Sequence, residues 1–296
     1  EGGAVRGRYS IIGLKPDLIW RCFGARAEFN SSARYDPDAF EPCAEGALES
    51  MRRLIRDSRI ELPETLPPMA AGLIGYIGYD MVRHMERLPE PNPDVLKLPD
   101  AILMRPTIMA IFDSVEDLVT LVTPVWPEDG LNARAAYGRA AERLADTVAD
   151  LERSLPVRFE SAQAHIPEPK PTSNTTPTEY HHFVERAKEY IAAGDIFQVV
   201  LSQRFESKLN KSPLEIYKKL RNNNPSPFMF FFNFNDFQII GSSPEILVRL
   251  RDNKITIRPI AGTRPRGHNS KKDLFYKKQL LNDEKELSEH LMLLDL

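Results

Sequence analysis

Two carboxylates, Glu286 and Glu289, stand three residues apart in Asp283-Glu284-Lys285-Glu286-Leu287-Ser288-Glu289. Residues at that spacing share one face of a helix. So placed, they can take a hard cation such as Mg²⁺, which wants oxygen ligands and keeps several waters; they can equally be a solvated acidic face. Glu245 closes Ser242-Ser243-Pro244-Glu245, directly after the apolar run Phe237-Gln238-Ile239-Ile240-Gly241. A carboxyl held at a strand end beside a rigid proline is a candidate general acid, or else an exposed turn residue. Arg258-Pro259-Ile260-Ala261-Gly262-Thr263-Arg264-Pro265-Arg266-Gly267 leaves an apolar run for a Gly/Pro loop. Backbone N–H groups, a Thr hydroxyl and three arginines offer donors to an anion, and a plain strand-to-helix connection fits the same residues. Gly72-x-x-Gly75-x-x-Gly78 has the wrong spacing for a phosphate loop. It is expected to be a strand whose glycines let another backbone approach.

These residues need elements to hold them. Thr176-Pro177-Thr178-Glu179 and Ser212-Pro213-Leu214-Glu215 are capping-box patterns, so helices are expected from 176 to Gly194 and from 212 to about 222. Residues 196–206 alternate with period two and predict a strand, Gln198, Val200 and Ser202 on one face. Strands are expected near 228–234, 237–242, 246–251 and 254–260, forming an antiparallel meander. A final helix is expected from about Ser270 to the end. In the first half, Ser10–Leu14, 101–104, 108–112 and 118–122 read as strands, the last two a hairpin. Helices are expected at roughly 44–58 and 129–155. Pro156–Pro177 reads as a linker. The expected domains are 1–125, a helix and linker over 126–175, and 176–296. Absence of a repeating βαβ pattern makes the class α+β, with antiparallel sheets.

Composition excludes several classes. The chain has 296 residues, 42% hydrophobic and 27% charged, with net charge -3. That is too apolar for a disordered chain and lacks the basic surplus of a nucleic-acid binder. Two cysteines, Cys22 and Cys43, cannot build a disulfide framework. No apolar run reaches a membrane span, and no signal peptide opens the chain; the expected compartment is the cytoplasm. Both ends look cut: no Met starts the chain, and it stops within an apolar helical pattern. Residues 1–160 hold 17 Arg and 2 Lys, whereas 161–296 hold 8 Arg and 12 Lys. No physical requirement of a fold accounts for that change, which suggests two sources of sequence.

Taken together and in order, several segments resemble one family. They are Gly194-Asp195-Ile196-Phe197-Gln198-Val199-Val200-Leu201-Ser202-Gln203-Arg204, Asn224-Pro225-Ser226-Pro227-Phe228-Met229, Gly241-Ser242-Ser243-Pro244-Glu245, Pro259–Gly267 and Asp283–Leu296. With Gly7-Arg8-Tyr9-Ser10-Ile11-Ile12-Gly13 and the Gly72–Asp80 segment, they are similar to the large subunits (component I) of anthranilate synthases, among the chorismate-utilising enzymes. The resemblance implies a sandwich-like antiparallel fold with helices outside. It also implies conversion of chorismate and ammonia to anthranilate and pyruvate, the first step of tryptophan synthesis. Ammonia is expected from glutamine through an amidotransferase partner subunit or fused domain. Mg²⁺ is the implied cofactor, with Glu289 a ligand and Glu286 acting through water. Ala261, Gly262 and Thr263 are assigned to chorismate, Thr263 and Gln198 to catalysis, and Glu245 to protonating the departing hydroxyl. Tryptophan is the implied feedback effector. Its assigned contacts are Arg8, Tyr9, Ser10, Asn224, Pro227, Phe228, Met229 and Gly241, Phe228 standing where the family commonly has Tyr.

Two positions separate the relatives. Common aminodeoxychorismate synthases carry a nucleophilic Lys where this chain has Ala261, and water-using isochorismate and salicylate synthases carry a basic Lys at the Gln198 position. Ala261 and Gln198 leave direct attack by ammonia, hence anthranilate. The alternatives are aminodeoxychorismate synthase and a non-catalytic tryptophan-binding module. The family's Arg-Asn-Asp segment, catalytic His and second pair of metal carboxylates are expected beyond residue 296, so the 296 residues alone are expected to be inactive.

Overall fold

The computed structural model describes residues 7–128, 130–154 and 170–295. Its first half is built on two long paired strands, β1 (Tyr9–Phe23) and β5 (Ala101–Asp113). Their antiparallel register sets Ile11 opposite Ile111 and Trp20 opposite Leu103. The two expected strands at 101–104 and 108–112 are one. Pro106 does not break it, because the ladder is irregular there: Pro106 faces Pro16, and the register shifts between Pro16 and Leu18. A bulge is a place where a residue without an N–H costs nothing to the ladder.

β1 also pairs with β2 (Arg26–Asn30), which pairs with β3 (Glu41–Pro42). The far edge of β5 is shared by β4 (Ile74–Ile77), along 101–104, and β6 (Leu118–Val122), along 109–113. Gly75 has the expected role: a Cβ there would collide with the Ile102 carbonyl of β5. The helix α1 (Ala47–Asp57) covers the sheet with Ala47 and Leu54 against Trp20 and Cys22. Trp20 is fully buried, and its indole N–H donates to Ser50 Oγ at 3.0 Å, as a buried indole requires. Ile108 and Ile111, also buried, contribute about 1.5–3 kcal/mol each through removal from water.

α2 (Ala133–Glu152) is capped by Asn132, whose side chain accepts from Ala135 N. Most of the expected linker, residues 155–169, lies outside the described residues. β7 (Thr172–Ser173) then leads to α3 (Pro177–Ala193). α3 shows the full capping box of Thr176 and Glu179 and ends at Gly194 in the left-handed region, φ 82°. The predicted strand over 196–206 is not formed. Only β8 (Phe205–Glu206) pairs, with β7, and Phe197 and Val200 stand 80% and 79% exposed. An alternating segment becomes a strand only where a second strand accepts its hydrogen bonds.

α4 (Pro213–Asn223) repeats the capping box with Ser212 and Glu215. The expected meander is instead two separate hairpins, β9 (Phe228–Asn233) with β10 (Gln238–Ser243), and β11 (Arg249–Arg251) with β12 (Lys254–Thr256). Asp252 and Asn253 both take positive φ, the two-residue turn that right-handed strand twist favours; its short strands stop well before residue 260. The final helix is also two. α5 (Ser270–Leu281) ends at Asn282, and α6 (Glu284–Asp295) starts afresh because Asp283 Oδ1 accepts from Lys285 N and Glu286 N at 3.1 and 3.2 Å. A short acid side chain that bonds the next backbone amides competes with helix continuation.

All paired strands are antiparallel and the class is α+β, as expected. The halves meet where the Tyr76 ring of β4 contacts the Phe234 and Phe237 rings at the tip of the β9–β10 hairpin, centroids 5.6 and 6.3 Å away. Burial pushes the Tyr76 phenol up to about 12, and its O–H donates to Pro99 O. Among the described residues, only Ala187 is buried beyond α2, and no helix is long and apolar enough to cross a membrane.

Candidate active site

Three segments far apart in sequence are linked in series by hydrogen bonds, the turn after β10 to the 260–264 loop and that loop to the first turn of α6. The first is the turn after β10. Glu245 N donates to Ser243 Oγ at 3.2 Å, and Ser243 Oγ donates to Glu245 O at 2.9 Å. This tight turn sends the Glu245 side chain to the second segment, where Ile260 N donates to Glu245 Oε1 at 3.1 Å. The carboxylate is thereby fixed at the residue that precedes Ala261-Gly262-Thr263.

Gly262 lies at φ 72°, a conformation that suits glycine. It also faces the third segment closely: a Cβ there would lie 2.6 Å from Glu286 Oε2 and 2.9 Å from Leu280 Cδ1. Arg264, two residues on, donates from Nη1 to Glu286 Oε1 and from Nη2 to Asp283 Oδ2, each at 2.7 Å. Those hydrogen bonds, Glu286 foremost, raise the already high guanidinium pKa. Glu289 lies one turn further along α6 and is exposed.

Two of the three arginines expected to receive an anion are therefore paired with carboxylates of the chain itself, Arg264 half-buried and Arg266 exposed. Arg264 serves α6, and Arg266 Nη1 donates to Asp273 Oδ2 at 2.9 Å, lowering that carboxyl together with the stronger hydrogen bond from Gly267 N. By sequence alone Arg264 is one of three anion donors and Asp283 part of an acidic face. Their partnership spans 19 residues, and no local pattern signals it. Gln198 sits on the exposed irregular stretch that replaces the predicted strand. Among the described residues it has no hydrogen bond to Glu245 or the 260–264 loop.

The residue types fit a hard cation. Glu286 Oε2 is an oxygen donor presented at the small hollow left by Gly262, and Glu289 follows at i+3. Mg²⁺ is commonly held by one or two carboxylates with substrate oxygens and water completing the shell. Among the described residues, no group of three or more His, Cys, Asp and Glu gathers to hold a metal unaided.

The residues assigned to an effector form two groups. Tyr9 and Ser10 open β1, and Arg8 directly precedes it. Arg8 grips Asp113, with Nε donating to both carboxylate oxygens at 2.9 Å, and that hydrogen bonding holds the Asp113 carboxyl down to about 2. Arg8 and Tyr9 line a cavity of about 300 Å³ with Leu66, Pro67 and Thr120. Asn224, Pro227, Phe228, Met229 and Gly241 form the other group, on the β9–β10 hairpin and the segment that leads into it. Met229 pairs with Ser242, whose hydroxyl donates to Asn224 O at 2.8 Å, and the Phe230 ring covers the bare α-carbon of Gly241. Among the described residues, no hydrogen bond, ion pair or ring contact joins the two groups.

The sequence profile of the chorismate binding enzyme family matches residues 14–296. The chain is 55% identical over 296 residues to the anthranilate synthase component 1 of Cereibacter sphaeroides, covering 100% of this chain and 59% of that protein. It is 39% identical over 306 residues to the component 1 of Pseudomonas aeruginosa, covering 100% and 60%. In three dimensions it superimposes on anthranilate synthase component I from Streptococcus pneumoniae TIGR4 with a TM-score of 0.81 at 27% identity, covering 100% of this chain and 61% of that one. The chain thus spans about three-fifths of the length of these relatives.

Proposed function

The chain belongs to the chorismate-binding enzyme family, and from that premise we propose that it is part of an anthranilate synthase large subunit. The subunit converts chorismate and ammonia to anthranilate, pyruvate and water, early in tryptophan biosynthesis. The observation that carries this reading is the bond from Ile260 N to Glu245 Oε1. It fixes an acid at the residue that leads into Ala261-Gly262-Thr263, the segment assigned to the substrate.

The residues divide the work. Gly262 and Thr263 hold a chorismate carboxylate through backbone N–H and hydroxyl donors. Glu245 gives its proton to the C4 hydroxyl, which departs as water while ammonia bonds at C2; hydroxide is a poor leaving group without that proton. Loss of the C2 proton and of the enolpyruvyl group, which is released as pyruvate, then makes the ring aromatic. Mg²⁺, held by Glu289 and through water by Glu286, supplies Lewis-acid polarisation of the ring carboxylate when bound. A glutamine amidotransferase, as subunit or fused domain, delivers the ammonia. Tryptophan acts as feedback effector, and the compartment is the cytoplasm.

Ala261 supports ammonia as nucleophile, because its methyl group cannot form the covalent adduct that a Lys there would form. The test uses the full-length subunit with an ammonium salt, Mg²⁺ and no glutamine, at a pH that frees NH₃. Anthranilate fluorescence should appear, with identity checked by chromatography. Isochorismate, salicylate or 4-amino-4-deoxychorismate as main product would overturn the reading. Ala261→Lys should trap an adduct or cut anthranilate output strongly; normal rates would remove residue 261 from the substrate.

A further inference from the structure

We propose that Arg264 is a positioning residue for Glu286, fixing which carboxylate oxygen faces the substrate loop. This rests on the reading above, in which Glu286 and Glu289 serve a cation beside chorismate. Glu286 Oε1 is taken by Arg264 Nη1 at 2.7 Å. Oε2 receives no donor among the described residues and points at Gly262, 2.6 Å from where a Cβ would sit. One oxygen is thus anchored and the other presented.

The anchor itself is held on three sides. Nη1 also donates to Thr263 O at 2.8 Å, and Nη2 to Asp283 Oδ2 at 2.7 Å. Asp283 in turn caps α6 through its other oxygen, at Lys285 N and Glu286 N. Loop, helix cap and ligand therefore share one guanidinium. Only a planar fork reaches two carboxylates in this way; a Lys ammonium is a single point charge. An unanchored glutamate on the first turn of a helix would sample several rotamers and lose entropy on each binding event. A plain surface ion pair in the same place would be worth little and would leave metal affinity untouched.

The experiment uses the full-length protein, with Mn²⁺ as the probe and free Mn²⁺ followed by electron paramagnetic resonance, without chorismate. Arg264→Ala should weaken Mn²⁺ binding about tenfold or more, the usual effect of removing a group that orients a ligand. Arg264→Lys should recover part of that loss, and it retains the charge if the alanine variant folds poorly. Mn²⁺ affinity equal to wild type in both variants, with Glu289→Gln impaired, would overturn the proposal alone. A wild-type protein that binds no Mn²⁺ would overturn the metal reading and this proposal with it.

Discussion

Arg264 and Glu286 are 22 residues apart in the chain and 2.7 Å apart in space. Through that contact the loop after β12 becomes one wall with the first turn of α6. Glu245 joins the same wall from the turn after β10. The site is thus made of two irregular segments and the first turn of a helix, linked through side-chain hydrogen bonds, and substitutions in any of them should be felt in the others.

Removing charge from Glu289 is the sharpest check on the metal reading. Glu289→Gln in the full-length protein should lower chorismate turnover by at least about a hundredfold, about 2.7 kcal/mol of transition-state stabilisation. The residue is exposed, so thermal melting should not move. Turnover unchanged at saturating Mg²⁺ would take Glu289 out of the metal role.

Gly262→Ala tests the close approach. An L-residue at φ 72° costs about 1–2 kcal/mol. Its Cβ would also displace Glu286 Oε2, which lies 2.6 Å away. A ligand moved by an ångström can cost about a hundredfold in rate. The variant should therefore lose turnover far more than stability, compared by steady-state kinetics and melting. Equal activity in the alanine variant would show that the loop relaxes without cost.

Effector binding should divide along the two groups. Pro227→Ala and Met229→Ala should each weaken tryptophan binding about tenfold, some 1.4 kcal/mol, and leave chorismate affinity nearly unchanged. Isothermal titration reads both. Identical tryptophan affinity in the variants would place the pocket away from the β9–β10 hairpin.

The Arg8–Asp113 pair gives a pH signature. Its hydrogen bonding lowers the Asp113 carboxyl from 3.8 to about 2. A depressed carboxyl contributes stability above its unfolded value, and that contribution fades as pH falls from about 4 toward 2. Arg8→Met should be less stable than wild type at pH 6, and the gap should shrink near pH 2. Urea midpoints followed through fluorescence of buried Trp20 would show it. A gap independent of pH would mean that the ion pair contributes nothing to folding.

What the sequence determined by itself was local. The capping boxes at Thr176 and Ser212, the Gly194 stop and the close packing of Gly75 were legible, because each depends on residues within one turn or on a missing side chain. The family segments were legible too, since residue types in order carry chemistry without coordinates. Where partners were distant, legibility ended. The alternation over 196–206 looks like a strand, yet a strand exists only if another offers its hydrogen bonds, and here only Phe205 and Glu206 find one. Residues 101–104 and 108–112 read as two strands, yet Pro106 between them faces Pro16 and one strand runs through. Asp283 reads as one more acid on a long helix, yet it ends one helix, starts the next and accepts from Arg264. Only the tertiary structure decided that Arg264 serves Glu286 rather than an anion. A guanidinium bonds whichever carboxylate the fold brings within reach, and that is set by the path of the chain between them.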